Sequence, residues 1–282
     1  MISIRLLVPA LFAVVAAAQP VAMVVDLTGG ASWELMTPVH ITDEVAPGRL
    51  LILEKGARLV LIHLRTGTEQ VFTGPARISL KADGSLEGGK AASTRKIQAL
   101  QGAIQLKPSA LAQTSVIMKE LGAPEGPLRE AAPPWPLLQP AGPCIQDPSQ
   151  AFAWQALPQA KYTFRITDDQ THPVFEATGS EPRVKLPSPS PLAGKGVYLW
   201  FLRAELPDGS TRAASGSFRL LDEAARGVLR AAKPGEGASF ADRLLYALLL
   251  DQLEVKDEAR TLWQALARER PEEASLRRIS RD

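Results

Sequence analysis

The sequence predicts a mainly β protein with a small all-α C-terminal tail: a β-roll, then a β-sandwich, then a helical hairpin. Three observations predict it. Short apolar-rich runs bounded by Gly, Pro and Asp-Gly recur through most of the chain, as strands joined by tight turns do. The 282 residues include 23 Pro and 21 Gly, a combination that favours turns and short strands over long helices. From residue 222 onward the composition switches to Ala, Leu, Glu and Arg at helical spacing.

The length suits about two small domains. Lys and Arg number 32 against 30 Asp and Glu, a net charge of +2, so no whole-chain field attracts nucleic acid or an anionic membrane. A nucleic-acid partner is therefore not expected. The single cysteine, Cys144, excludes an internal disulfide and reads as a small buried or linker residue.

Residues 1–18 have the layout of a signal peptide. Arg5 is followed by the apolar run "LLVPALFAVV", and Ala16 and Ala18 sit where a cleavage site places small residues. The rival reading is an uncleaved anchor, because "VAMVV" continues the apolar character after Gln19-Pro20. The run before Gln19 is well short of the ~20 residues a span needs. Export without a usable disulfide pair points to a bacterial periplasmic or secreted protein, with no stable membrane span once the signal is cleaved.

Residues 21–121 form the first β region. "ARLVLIHL" (57–64), "TEQVFTG" (68–74), "PARISL" (75–80) and "ADGSLEGG" (82–89) are short strands separated by Gly67, Gly74-Pro75 and Asp83-Gly84. The stretch from 24 to 106 resembles the repeating β-unit of FecR-type periplasmic domains. Gly48, Leu50, Gly56, Gly67, Gly74, Pro75 and Ala76 carry the likeness. The resemblance implies a periplasmic sensing or docking module. The chain lacks that family's usual cytoplasmic segment and preceding span, so only the module carries over.

Residues 122–136, "GAPEGPLREAAPPWP", are a Pro-rich linker, since proline fixes φ and removes backbone donors. Trp135 within it either covers a domain edge or meets a partner. Residues 137–221 then read as about seven short strands, the size of a sandwich. Along each strand alternate side chains share a face. Phe152 and Trp154 fall on one face, Tyr162, Phe164 and Ile166 on another, and Tyr198, Trp200 and Leu202 on a third. These aromatics, Phe152, Trp154, Tyr162, Tyr198 and Trp200, are assigned to the structural core; the rival use of Trp154 is a stacking platform for carbohydrate. Leu138, Pro140, Phe152, Trp154, Ala160, Tyr162 and Asp168, with the Asp208-Gly209 turn, make the segment similar to fibronectin type III-like or immunoglobulin-like domains of envelope proteins.

In the tail, residues 222–282, "DEAARGVLRAAK" is one short helix stopped near Pro234-Gly235, and an antiparallel helix pair follows. Ser239 with Asp242 is a cap, and Pro271 ends the second helix of the pair. Ala259, Leu262, Trp263 and Leu266 form one apolar stripe. Ala247, Ala259, Trp263 and Pro271 resemble the small, small, aromatic and proline positions of one tetratricopeptide-type repeat; Leu266 departs from it. "LLYALLL" (244–250) is apolar on more than one side, so one partner helix cannot cover it. The expectation is that Leu249, Leu262, Trp263 and Leu266 dock a protein partner, or pack on the chain's own sandwich.

No catalytic constellation is legible. His40, His63 and His172 are scattered without ligand spacing, and there is no G-x-S-x-G, phosphate loop or dinucleotide fingerprint. "TDD" (167–169) reads as a turn rather than a calcium site, which needs six or more oxygens. No metal or cofactor is expected, nor is the chain expected to be an enzyme. Two functional classes follow. One is a non-catalytic interaction, sensing or scaffold protein of the bacterial envelope with an envelope protein partner. The other is a glycan or peptidoglycan binder with exposed aromatics. Exposure of Trp33, Trp135, Trp154 and Trp200 separates them.

Overall fold

The computed structural model describes residues 19–97, 137–140, 142–146, 151–192 and 196–280. The protein is mainly β, and its helices are gathered at the C-terminal end. The residues expected to form a signal peptide, Arg5, Ala16 and Ala18, the last part of the expected first β region (98–121), the expected linker and Trp135 lie outside the described residues.

Among the described residues nine strands build the first β region: β1 (Ala22–Thr28), β2 (Ala31–Trp33), β3 (Glu44–Val45), β4 (Leu51–Leu53), β5 (Arg58–His63), β6 (Thr68–Thr73), β7 (Ala76–Leu80), β8 (Leu86–Gly88) and β9 (Ser93–Lys96). They form two sheets, ordered β3-β1-β5-β6-β9 and β2-β4-β7-β8. "VAMVV" is thus the start of β1, paired with both β3 and β5. Gly74 is required at the β6–β7 turn, because a Cβ there would lie 1.8 Å from the carbonyl oxygen of Glu54. In β1 the run from Ala22 to Leu27 is wholly buried, and in β5 the run from Leu59 to His63 is too. A strand of one-sided antiparallel sheet alternates; an unbroken buried run requires cover on both faces.

The sandwich comprises β10 (Leu137–Gln139), β11 (Cys144–Ile145), β12 (Ala151–Trp154), β13 (Lys161–Thr167), β14 (Pro173–Gly179), β15 (Arg183–Lys185), β16 (Val197–Glu205) and β17 (Thr211–Leu220). Its sheets are ordered β10-β12-β15 and β11-β17-β16-β13-β14. Among the described residues that is eight strands, against about seven in the sequence reading. The two-residue β11, parallel to β17, is too short to leave a periodic signal. The core is aromatic: Phe152 packs 5.0 Å from Phe164 and 5.3 Å from Phe218, and Trp154 stacks 5.5 Å from Phe164, centroid to centroid. The Tyr162 hydroxyl accepts from Leu157 N at 2.7 Å and donates to Leu157 O at 3.2 Å, tying the β12–β13 connection to the core.

The helices are α1 (Glu223–Ala232), α2 (Phe240–Gln252), α3 (Lys256–Glu269) and α4 (Ala274–Ile279). Ser239 caps α2 by accepting from Asp242 N at 3.1 Å. The tail touches the sandwich: Cys144 of β11 joins the tail's core, and Arg219 of β17 pairs with Glu254 at 2.6 Å. It packs chiefly on the first β region, with α2 against β1, in one hydrophobic core that is separate from the aromatic sandwich core. The reason is burial. α2 is apolar from Leu244 to Leu250 on every side, and the first sheet has an apolar face that its partner sheet does not cover. Polar contacts pin the same join. Arg95 on β9 reaches Asp242 at 2.6 Å, Arg270 reaches Asp26 at 3.4 Å, and Ser275 Oγ donates to Ile41 O at 2.9 Å.

Candidate functional site

The residues expected to dock a partner are committed internally. Leu249, Trp263 and Leu266 are buried in the core shared with β1, and Leu262 is half-buried against it. Trp263 Nε1 donates to Asp251, which also pairs with Lys256 at 3.0 Å. The stripe is therefore no free surface. A cleft of about 290 Å³ beside Leu249 is walled by Arg95, Lys96, Lys233, Asp242 and Tyr246. Its strongest cation is already spent, since Arg95 also holds Glu69 at 2.8 Å; these bonds raise the Arg95 pKa. Burial pushes the Tyr246 phenol up to about 12, so it stays neutral.

The four described tryptophans lie inside as well. Trp154 is 3% exposed, Trp200 9%, Trp33 3% and Trp263 2%. Phe152, Tyr162 and Tyr198 join Trp154 and Trp200 in the sandwich core. Trp200 covers Gly216 across the β16–β17 ladder, where a Cβ would meet its ring at 2.8 Å. None of the four rings offers a sugar its face.

The histidines remain apart. His63 is buried with Nε2 2.9 Å from Gln70 Oε1. His172 sits 3.1 Å from Asp168, whose Oδ1 accepts from the backbone of Gln170 and His172. "TDD" thus closes a turn, with its Asp168 oxygens already occupied. Among the described residues no group of three or more His, Cys, Asp or Glu is placed to hold a metal. Cys144 is buried, and desolvation pushes its thiol up, away from the reactive thiolate.

One surface feature escaped the sequence reading. The β2–β3 connection, beginning "WELMTP", holds Leu35 84% exposed and Met36 79% exposed at its tip. The tip is rigid. Trp33 N donates to Thr37 O at 2.8 Å, Met36 N donates to Trp33 O at 2.9 Å, and Val39 N donates to Ala31 O at 3.1 Å. Beneath it, buried Trp33 donates Nε1 to Asp43 Oδ2 at 3.3 Å, and the Arg49 guanidinium stacks 3.8 Å from its ring centroid. Met36 has φ +61°, a left-handed conformation that costs a residue other than glycine roughly 1–3 kcal/mol. Burying each tip side chain would recover about 1.5–3 kcal/mol. The signal in the sequence was two adjacent large apolar residues in a turn, between Glu34 and Thr37-Pro38.

Behind the tip the same connection walls a cleft of about 480 Å³. Leu27, the Gly29-Gly30 turn, Pro38, Val39 and His40 form one side, and Arg270, Glu272 and Glu273 the other. His40 Nδ1 stands 3.4 Å from Glu273 Oε2, and His40 N donates to Asp43 Oδ2 at 2.9 Å. Among the described residues no helix is long and apolar enough to cross a membrane.

No protein-family model matches the chain, and no curated protein matches it. Among solved structures it is similar to CopC from Methylosinus trichosporium OB3b, with 17% identity and a TM-score of 0.23 over 28% of this chain and 83% of that one. It is also similar to dimeric latent PorU from Porphyromonas gingivalis, with 11% identity and a TM-score of 0.24 over 76% of this chain and 17% of that one. A third is PorZ, a surface component of the type-IX secretion system of the same organism, with 12% identity and a TM-score of 0.22 over 69% of this chain and 25% of that one. The chain thus spans a quarter or less of the length of PorU and PorZ. At these TM-scores the likenesses establish neither a family nor a function.

Proposed function

We propose that the chain is a non-catalytic interaction or sensing scaffold of the bacterial envelope, and that it docks a protein partner through the Leu35–Met36 tip. The carrying observation is the tip itself: two large apolar side chains held in water by a hydrogen-bonded turn over a buried tryptophan. An exposed apolar element already held by backbone hydrogen bonds leaves less to order when it meets a partner. The FecR-like reading of the first β region and the leader-like residues 1–18 support an envelope setting. Trp33, Trp154, Trp200 and Trp263 are buried, which disfavours a glycan platform built on those rings.

The test is site-specific photo-cross-linking in cells. A photoreactive residue at position 35 or 36 is expected to give a discrete adduct with an envelope protein, whereas one at Phe201, exposed on the sandwich, gives none. The double change Leu35→Ser with Met36→Ser should abolish the adduct formed from a probe at Thr37. Equal adducts from all positions, or none from the tip, would overturn the proposal.

A further inference from the structure

The seven-residue β14 is the longest strand at the edge of any described sheet, and it pairs only with β13. The ladder fixes which of its backbone groups are free. Successive residues of an antiparallel strand bond to the neighbour on one side and then on the other. Leu206 N donates to Ser210 O at 2.9 Å and closes the β16–β17 hairpin. Counting from that pair, Trp200 and Leu202 of β16 bond to β17, so Phe201 and Arg203 turn to Arg165 and Thr163 of β13. On β13 that leaves Phe164 and Ile166 to bond Ala177 and Phe175 of β14. The N–H and C=O groups of Glu176 and Thr178 therefore point away from the sheet, and no described backbone group meets them. Edges are commonly blunted by Pro, Lys or a bulge. Pro173 and the register shift between Ile166 and Thr167 do this at the start of β14. From Phe175 to Gly179 the strand has neither Pro nor Lys. Its one charge, Glu176, is answered within the sheet by Arg165 at 2.9 Å. An open edge of this kind is a template for another strand.

We infer that β14 pairs with β14 of a second copy of this chain, joining the two five-stranded sheets antiparallel about a two-fold axis at Ala177. The strand's own sequence selects this occupant and this register. Glu176 of each copy lies opposite Thr178 of the other, and their bonds use the free groups of both. Ala177 meets Ala177 at the axis, a non-bonded pair that brings side chains closest and suits small ones. Phe175 lies opposite Gly179. A Cβ at Gly179 would meet nothing within 4 Å, so the half-buried ring has room there. A register centred on Glu176 would set two carboxylates face to face. One centred on Phe175 would run into Pro173, and one centred on Thr178 would carry Phe175 past the end of the facing strand. The contact involves few residues a side, so the dimer is weak and reversible. It belongs to the sandwich and goes beyond the docking role of the tip.

The test is sedimentation equilibrium of the purified chain over a range of concentrations. A reversible monomer–dimer equilibrium is expected, with a dissociation constant below about 1 mM. Thr178→Pro removes an outward N–H at a place where an edge strand tolerates proline. It should weaken the dimer about tenfold or more and leave the melting temperature of the monomer little changed. Charge reads the register. Thr178→Glu sets a carboxylate opposite Glu176 of the other copy and should weaken the dimer about fivefold, whereas Thr178→Lys should tighten it by a similar factor. With Ala177→Cys, oxidation should link the two copies at the axis, while the buried Cys144 contributes no link. A chain that stays monomeric to about 1 mM overturns the inference. So does a dimer indifferent to Thr178→Pro, equal shifts from Thr178→Glu and Thr178→Lys, or an Ala177→Cys chain that oxidation leaves unlinked. A monomeric chain that takes an extended peptide of another protein on this edge would assign it to a foreign strand, and that too would overturn the inference.

Discussion

β1 buries six consecutive residues, from Ala22 to Leu27, whereas β16 buries every second one: Tyr198, Trp200, Leu202 and Ala204. Each strand pairs antiparallel with its long neighbours in a sheet of five described strands, yet they live in different surroundings. The sandwich's five-stranded sheet has one face on its partner and one in water, where Arg165 pairs with Glu176 and Phe201 stands exposed. The first sheet has its second face under α2. The difference teaches where an apolar helix must go. A helix buried on every side, as α2 is, can be covered only by several neighbours at once. The first sheet, α1 and α3 supply them.

The largest test of that contrast is removal of its cover. Deleting residues 234–282 should strip the outer face of β1 and β5 and leave the first β region aggregated or without cooperative melting, while the sandwich keeps its aromatic near-ultraviolet signal. A truncated chain whose first region melts unchanged would show that the tail is an ornament.

Next come two single changes of similar size at opposite ends of the comparison. Trp263→Ala and Trp154→Ala should each cost about 3–5 kcal/mol, the range for emptying a large aromatic site. Calorimetry should assign them to different transitions, Trp263 to the core that includes β1 and Trp154 to the sandwich. Two variants that lower one common transition would erase the distinction between the cores.

A smaller effect sharpens the sandwich side. Gly216→Val puts a branched side chain where a Cβ would already sit 2.8 Å from the Trp200 ring. The expected cost is about 1–3 kcal/mol, as for other overpacked sites. A neutral result in a denaturant titration would mean that Trp200 can leave its place freely.

The smallest effect concerns pH and the tail. Burial pushes the Asp242 carboxyl up, but bonds from Ser239 and Arg95 outweigh it and leave its pKa below the ordinary 3.8. A depressed carboxylate stabilises the fold fully above its unfolded value, and the contribution fades as pH falls through the folded value. The tail's attachment should therefore weaken below about pH 4. Asp242→Asn should flatten that part of the acid-stability profile read by hydrogen exchange in α2. An unchanged profile would remove the Arg95–Asp242 pair from the account.

Local order was legible in the sequence because it depends on neighbours in the chain. Turn chemistry placed β5 to β8, the alternation of "KYTFRIT" and "VYLWFLRAE" placed the sandwich's inner face, and Ser239 and Pro271 marked helix ends. The two-sided burial of β1 and β5 was not read from the sequence, where "VAMVV" passes for the continuation of an apolar leader. Nothing local named the cover. Arg270 meets Asp26, and Ser275 meets Ile41, across more than 200 residues of chain. The tip and its cleft belong to the same class. "WELMTP" shows two apolar residues in a turn, but only the fold shows them exposed beside a buried Trp33, and only the fold brings Glu273 of the tail to His40. Periodicity and turn residues act over a few bonds and are written in order along the chain. Which apolar face covers which, and which charge is left unanswered, is settled by long-range packing, and only the tertiary structure decides it.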